Sequence, residues 1–240
     1  MDIIEITYCF NLEDEKKESF KLRLDAGSLE LIDDNDMPSP EWTALEYHQC
    51  PNCPYKKEEL PDCLVAKNLA NIIGRFGDIC SYDKIDLEVI TEERRIIQNT
   101  TAQRAISSLL GLVFATSGCS HTEYMKPMAR FHLPLASQEE TTFRAAGMFL
   151  LAQYFRKTAD MSGELNMDGL KKIYQELHVV NVAISNRMRS ALSAEASINA
   201  LVILDTRANL MPFVIEDHFD EIRHLFDAYV LEHAGDETER

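Results

Sequence analysis

Apolar positions return every second residue at the start of the chain. The stretches "IIEITYCF" (Ile3–Phe10) and "SFKLRLDA" (Ser19–Ala26) alternate on either side of the polar "NLEDEKKE". A period of two points successive side chains to opposite faces, which predicts a hairpin or meander with one buried face, continued by "SLELID" after Gly27. "KIDLEVIT" and "RRIIQNT" predict two further strands, with Glu92 and Glu93 at a tight turn between them. Between these strand pairs, Asp34–Trp42 reads as a loop on its Asp, Asn, Ser and Pro content. In Leu64–Phe76 the period lengthens. Leu64, Val65, Leu69, Ile72, Ile73 and Phe76 form the stripe of an amphipathic helix.

From Thr101 the pattern is helical. "AQRAISSLLGLVFAT" is small and apolar on most of its surface, as a buried helix is, and Gly118 in "SGCSH" supplies a C-terminal cap. An irregular segment with Pro127 and Pro134 follows. Ser137 and Glu140 then form the pattern of a capping box ahead of "ETTFRAAGMFLLAQYFRK". Leu170, Ile173, Leu177, Val180, Ile184 and Ala191 recur at heptad-like spacing, which predicts one long helix over Met167–Ala194. "INALVILDTRANLM" and "IEDHFDEIRHLFDAYVLEH" complete the helical part, and the tail "GDETER" is expected to fray. The fold class is therefore α+β. A small antiparallel sheet, with a cysteine-rich metal loop at the N-terminal side, packs on a C-terminal bundle of about five helices. Residues 1–100 form the α+β part and 101–240 the helical part. Because no clear linker marks the division near Thr101, a single fused domain fits equally well.

Charge narrows the partners. The 240 residues carry 40 acidic against 24 basic side chains, a formal net charge of -16. That balance opposes binding to nucleic acid or to anionic membranes, since both require clustered Lys and Arg. The opening residues lack a basic n-region and a long apolar h-region, so no secretory leader is expected. No uninterrupted apolar run approaches the roughly 18 residues of a membrane span; the longest are near Leu109–Ala115 and Ala145–Ala152. These features predict a cytoplasmic protein, in which thiols stay reduced and clustered cysteines serve metals or redox chemistry before disulfides.

The cluster is "HQCPNCPYKKEELPDC", His48 to Cys63. Two thiolates separated by two residues converge in a tight knuckle whose backbone N–H groups point at the sulfurs. "CPNC" contains Pro and Asn, both turn formers, so Cys50 and Cys53 suit such a knuckle. Cys63 supplies a third ligand and Cys119, in "SGCSHTEYM", the fourth, with His121 and His48 as alternates. The competing reading is a set of separate buried cysteines acting as small hydrophobes, but a hydrophilic, proline-flanked loop is a poor core. Cys9 and Cys80 do fit the core, one on an apolar-patterned strand and one beside Ile79. A redox dithiol at Cys50 and Cys53 lacks the βα context of thioredoxin-like pairs. Four sulfurs suit zinc, and a closed site of that kind is structural; an iron–sulfur cluster is the alternative cofactor.

The long segment after Cys119 holds Arg130 and His132, a candidate anion-binding or acid–base pocket. Satisfaction of local carbonyls accounts for them better. Glu221 and His224 have the spacing of one di-iron helix but no second copy, and a solvated face explains them better. "NTT" at Asn99 matches a glycosylation acceptor that a cytosolic chain does not use. There is no glycine-rich phosphate loop, no Gly-x-Ser-x-Gly and no His-Glu-x-x-His. No catalytic residue is assigned.

"EYHQCPNCP", "SGCSHTEYMKPMARFHLPLAS", "LLAQYF" and "NALVILD" together resemble an uncharacterised bacterial family, a domain of unknown function, over nearly the whole chain. The resemblance implies a bacterial origin and assigns no activity. The expected function is a cytosolic binding module with a structural zinc site, meeting a protein partner or a second copy through its helical part. The alternative is an iron–sulfur redox or sensor protein using the same cysteines.

Overall fold

The computed structural model describes residues 2–12, 16–32, 38–77, 79–163, 165–192 and 195–231; the side chains of residues 216–218 lie outside that description. Four strands, β1 (Ile3–Leu12), β2 (Lys17–Asp25), β3 (Lys84–Ile90) and β4 (Arg95–Thr101), form one antiparallel sheet in the order β2-β1-β3-β4. The register pairs Tyr8 with Phe20 across one edge of β1 and with Val89 across the other. Alternation thus sends Ile6, Tyr8 and Phe10, Phe20, Leu22 and Leu24, and Ile85, Leu87 and Val89 to one face, where all are buried. Phe10 meets Phe20 and Phe76 edge-on, with ring centroids 5.7 and 5.0 Å apart. Each such side chain contributes on the order of 2 kcal/mol by leaving water.

Two helices cover that face. They are α1 (Leu64–Ile73), which a 3-10 turn extends to Phe76, and α2 (Ala102–Ala115). The first buries Val65, Leu69, Ile72 and Ile73; the second is buried on most of its surface. Beyond α2 come the short α3 (Lys126–Arg130), α4 (Gln138–Thr158), α5 (Asp168–Ala191), α6 (Glu195–Ile222) and α7 (Asp227–Leu231). The architecture is α+β. One cluster of buried side chains runs from the sheet through α1 and α2 to Val180, Ile184 and Met188 of α5 and Leu201 of α6. A second gathers Phe149, Leu170, Tyr174, Leu177, Met211 and Ile215 among α4, α5 and α6.

Local signals survive well. Ser137 accepts from the Glu140 N–H at 3.1 Å and Glu140 accepts from the Ser137 N–H at 2.7 Å, closing the capping box of α4. Gly118 takes φ +83°, the left-handed backbone that favours glycine.

The structure corrects several expectations. The "SLELID" strand reduces to an isolated bridge between Leu24 and Leu31, with Asp33 outside the described residues. The Asp34–Trp42 loop is described only from residue 38, and the tail 235–240 lies outside the described residues. The segment after Cys119 is partly helical, with a 3-10 turn at Glu123–Met125 leading into α3. Six α-helices, rather than about five, follow Thr101 among the described residues. The first of the last two apolar stretches runs through Pro212 into the start of the second as one helix, α6, and the second continues through a 3-10 turn at Arg223–Phe226 into α7. A proline inside a helix costs about 3 kcal/mol, and burial of Ala208, Met211 and Ile215 around it offsets that penalty. Cys80 is exposed and Cys9 only partly buried, because the strand period turns Cys9 away from the face that buries Tyr8 and Phe10. Glu195–Ile215 of α6 is long and apolar enough to cross a membrane by length and composition alone. A search for uninterrupted runs passes it over because Asp205 and Arg207 interrupt it. Here it packs on α2 and α5, burying Ala196, Ala200 and Leu201.

Candidate metal centre

Cys50 and Cys53 stand on a tight turn, closed by donation from the Cys53 N–H to the Cys50 carbonyl at 3.0 Å. Cys63 sits at the N-cap of α1 and is held from behind, its N–H donating to the Thr43 carbonyl at 2.8 Å. Cys119 follows the Gly118 turn beyond α2. All four line one small cavity of about 30 Å³, together with Leu45, Leu60, Val65, His121 and Val180. All six cysteines are free thiols. Burial pushes the Cys50 thiol up to about 12, and negative charge on Cys63, Cys119 and Cys53 adds to that shift. Cys119, distant in sequence from the other three, is therefore their electrostatic neighbour. Burial also raises Cys119, against the opposing pull of the His121 and Thr122 N–H groups, which hydrogen-bond its side chain. N–H donation to sulfur is the knuckle chemistry expected at Cys50–Cys53, found here on the fourth cysteine. Among the described residues, no three His, Cys, Asp or Glu side chains converge closely enough to hold a metal ion as they stand. The four thiols share a cavity without a closed coordination shell.

The alternates take other positions. His121 lines the cavity, but its Nε2 hydrogen-bonds the Asn52 carbonyl at 2.7 Å and its Nδ1 lies 3.5 Å from Glu176. Asn52, inside "CPNC", donates through Nδ2 to the Glu176 carboxylate at 2.7 Å. His121 thus props the Cys50–Cys53 turn and links it to α5. His48 does not line the cysteine cavity. It lies on the surface at φ 50°, its ring against Tyr47, in a separate cleft beside His178.

Arg187 gave no signal in the sequence. It is 1% exposed on α5, and it donates to three carbonyls of the segment before the cysteines: Trp42 at 2.7 Å, Ala44 at 2.6 Å and Leu45 at 3.1 Å. Burial lowers its pKa, while Cys63, Cys50 and Cys53 act to raise it. A fixed cation therefore stands beside the thiols, where it favours their deprotonated forms. Only its place within an apolar helical face could have flagged it, as a charge where the heptad pattern calls for a core residue.

Arg130 and His132 line a second, narrow cleft with Glu5, Glu92 and Glu93. Arg130 Nη1 lies 3.7 Å from Glu93. His132 turns inward, hydrogen-bonded through Nε2 to the Tyr8 hydroxyl, which also meets Ser108 Oγ at 2.9 Å. Burial, then the charge of Arg144, lowers the His132 pKa to about 4, so the ring is neutral at pH 7. Burial raises the Tyr8 hydroxyl, so Tyr8 keeps its proton. Glu221 and His224 are exposed at the end of α6 and in the turn after it, with His224 Nδ1 3.0 Å from the Glu221 carbonyl.

A family model described as "Domain of unknown function (DUF6901)" matches residues 6–227. No curated protein and no solved structure matches the chain.

Proposed function

The chain belongs to the DUF6901 family, a domain of unknown function, and from that premise we propose a non-enzymatic binding module stapled by a structural zinc ion at Cys50, Cys53, Cys63 and Cys119. The supporting observation is the convergence of Cys119, from beyond α2, with three cysteines of the 50–63 loop on one cavity. Four thiols, an adjacent guanidinium and N–H groups directed at sulfur make a donor set suited to Zn²⁺. The cavity of about 30 Å³ has room for a single ion. A bound ion would tie the cysteine loop to the segment after α2, and the loop is already pinned to α5 through Asn52 and Arg187. Metal binding of this kind contributes directly to folding, on the order of 10 kcal/mol apparent. The reading goes with a reducing, cytoplasmic setting in a bacterium.

The helical part supplies the binding surface in this reading. Along α4, Phe143, Leu150, Leu151, Tyr154 and Phe155 form an exposed apolar stripe at helical spacing. Phe143 meets Phe226 with tilted rings, centroids 6.4 Å apart, and Phe226 in turn lies beside Tyr229. A second copy of the chain is the partner we assign to this exposed apolar surface.

Elemental analysis and a visible spectrum of protein purified without oxygen test the metal assignment. The expected result is one zinc per chain and no visible absorption. Iron with acid-labile sulfide and a brown colour would overturn zinc in favour of the cluster; metal-free folded protein would overturn both.

A further inference from the structure

A cavity of about 180 Å³ lies among α2, α3, α4, α5 and α6, apart from the cysteine site. Its walls are mostly apolar, with Leu112, Met125, Met128, Leu177, Leu204 and Met211 among them. Three arginines, Arg104, Arg144 and Arg207, line it, and among the described residues no Asp or Glu does, although Glu140 acts on Arg144 from nearby. That is unexpected in a chain with 40 acidic and 24 basic residues. Arg104 is exposed at the cavity mouth and Arg207 is partly buried, and among the described residues neither has a hydrogen bond or an ion pair. Arg144 donates only to main-chain oxygens, of Phe131 at 2.6 Å and Met128 at 3.3 Å. Burial, then the positive charge of Arg104, holds Arg207 below the usual arginine range. The two cations are therefore close enough to repel each other.

Buried polar groups on the same walls lack partners too. Asn181 is 3% exposed and Tyr174 6% exposed, both line the cavity, and neither side chain has a hydrogen-bond partner among the described residues. Buried polar groups are nearly always hydrogen-bonded. An apolar pocket with a few convergent, unsatisfied polar groups is the form of a small-molecule site.

We infer that this cavity binds a small amphipathic carboxylate. Its apolar body, the size of one aromatic ring or a short acyl chain, lies against the methionines and leucines, and its carboxylate lies between Arg104 and Arg207. The size follows from the volume, since an apolar cavity of about 150 Å³ admits benzene. The charge follows from the arginines, whose planar forks match a carboxylate. Asn181 and Tyr174 supply further polar contacts within the cavity. Gly111 sets part of the space. A Cβ built there would meet Leu204 Cδ1 at 3.5 Å, an ordinary contact, and a longer side chain would occupy the cavity.

Calorimetric titration of the full chain with phenylacetate, hexanoate, neutral phenylacetamide and phenyl phosphate tests the inference. Saturable binding of phenylacetate or hexanoate is expected, weakened at least tenfold in phenylacetamide and in Arg207→Gln. Gly111→Leu, checked for an unchanged circular dichroism spectrum, should abolish binding while keeping both arginines. No saturation by either carboxylate at millimolar concentration, equal affinity for phenylacetamide, or unchanged binding in Gly111→Leu would each overturn it. Tighter binding of phenyl phosphate than of both carboxylates would overturn the carboxylate assignment. None of these residues is a cysteine, so on folded protein the outcome is read separately from the metal assignment.

Discussion

Arg187 on α5 and Trp42, just ahead of the cysteine loop, are joined by a hydrogen bond of 2.7 Å from the guanidinium Nη1 to the Trp42 carbonyl. The same fork reaches Ala44 and Leu45, so one buried cation satisfies three main-chain oxygens that the loop leaves without strand or helix partners. Replacing it with Met keeps much of the volume but strands the Trp42 and Leu45 carbonyls, whereas Ala44 keeps the Tyr47 N–H at 3.0 Å. Arg187→Met is expected to lose about 3 kcal/mol of stability, and Arg187→Lys nearly as much because an ammonium lacks the planar fork. Urea denaturation followed by far-ultraviolet circular dichroism measures both.

Removal of one thiol separates the metal reading from a packing role. Cys53→Ser and Cys119→Ser are each expected to lose zinc together with soluble folding, whereas Cys80→Ser, on the surface, should keep both. Full metal stoichiometry in Cys119→Ser would remove that residue from the site. Cys119→Ala and Cys119→Ser would behave alike if the residue served as a ligand, since neither retains the sulfur.

His121 and Asn52 tie the knuckle turn to α5, and so act on the site without occupying it. Asn52→Ala removes the 2.7 Å bond to Glu176. A loss of about 1 kcal/mol is expected, with zinc bound at full stoichiometry but taken faster by a chelator. Release measured with a chromophoric chelator at fixed pH gives the rate. An unchanged rate would show that the prop does not reach the metal.

The pH dependence of stability has a specific sign at His132. Its folded pKa of about 4 lies below the ordinary value of 6.5, because burial and Arg144 disfavour the cation. Between these values the unfolded chain holds the proton and the folded chain does not. This contribution is therefore complete above pH 6.5 and lost as pH falls towards 4, up to about 3 kcal/mol. In His132→Asn the loss over that window should shrink while base stability drops through the bond to Tyr8. Denaturation midpoints taken between pH 4 and pH 7 show the difference in slope.

The capping box gives a local calibration. Ser137→Ala leaves the Glu140 N–H without its acceptor at the start of α4, at a cost of about 1 kcal/mol. Thermal unfolding checks it, and Ser137→Asp should recover most of the loss.

Repeats of two and of three to four residues determined the four strands, the positions of α1, α2, α4 and α5, and the buried face of the sheet. These are properties of neighbouring residues and act over a single turn or hairpin. Cys50, Cys53 and Cys63 were legible as a group for the same reason, since one short loop holds them. The meeting of Cys119 with them, and of Arg187 with the Trp42 carbonyl, depends on how α2 and α5 pack over the sheet, which no local period encodes. Tertiary packing also carried α6 through Pro212, because buried neighbours on both sides outweigh one lost helical bond. It likewise turned His121 towards the Asn52 carbonyl and enclosed the arginine-lined cavity, whose walls come from five helices. The sequence by itself thus determined the elements, grouped three cysteines and nominated Cys119 as a fourth; which distant polar groups face each other in low dielectric was decided only by the closing of the core.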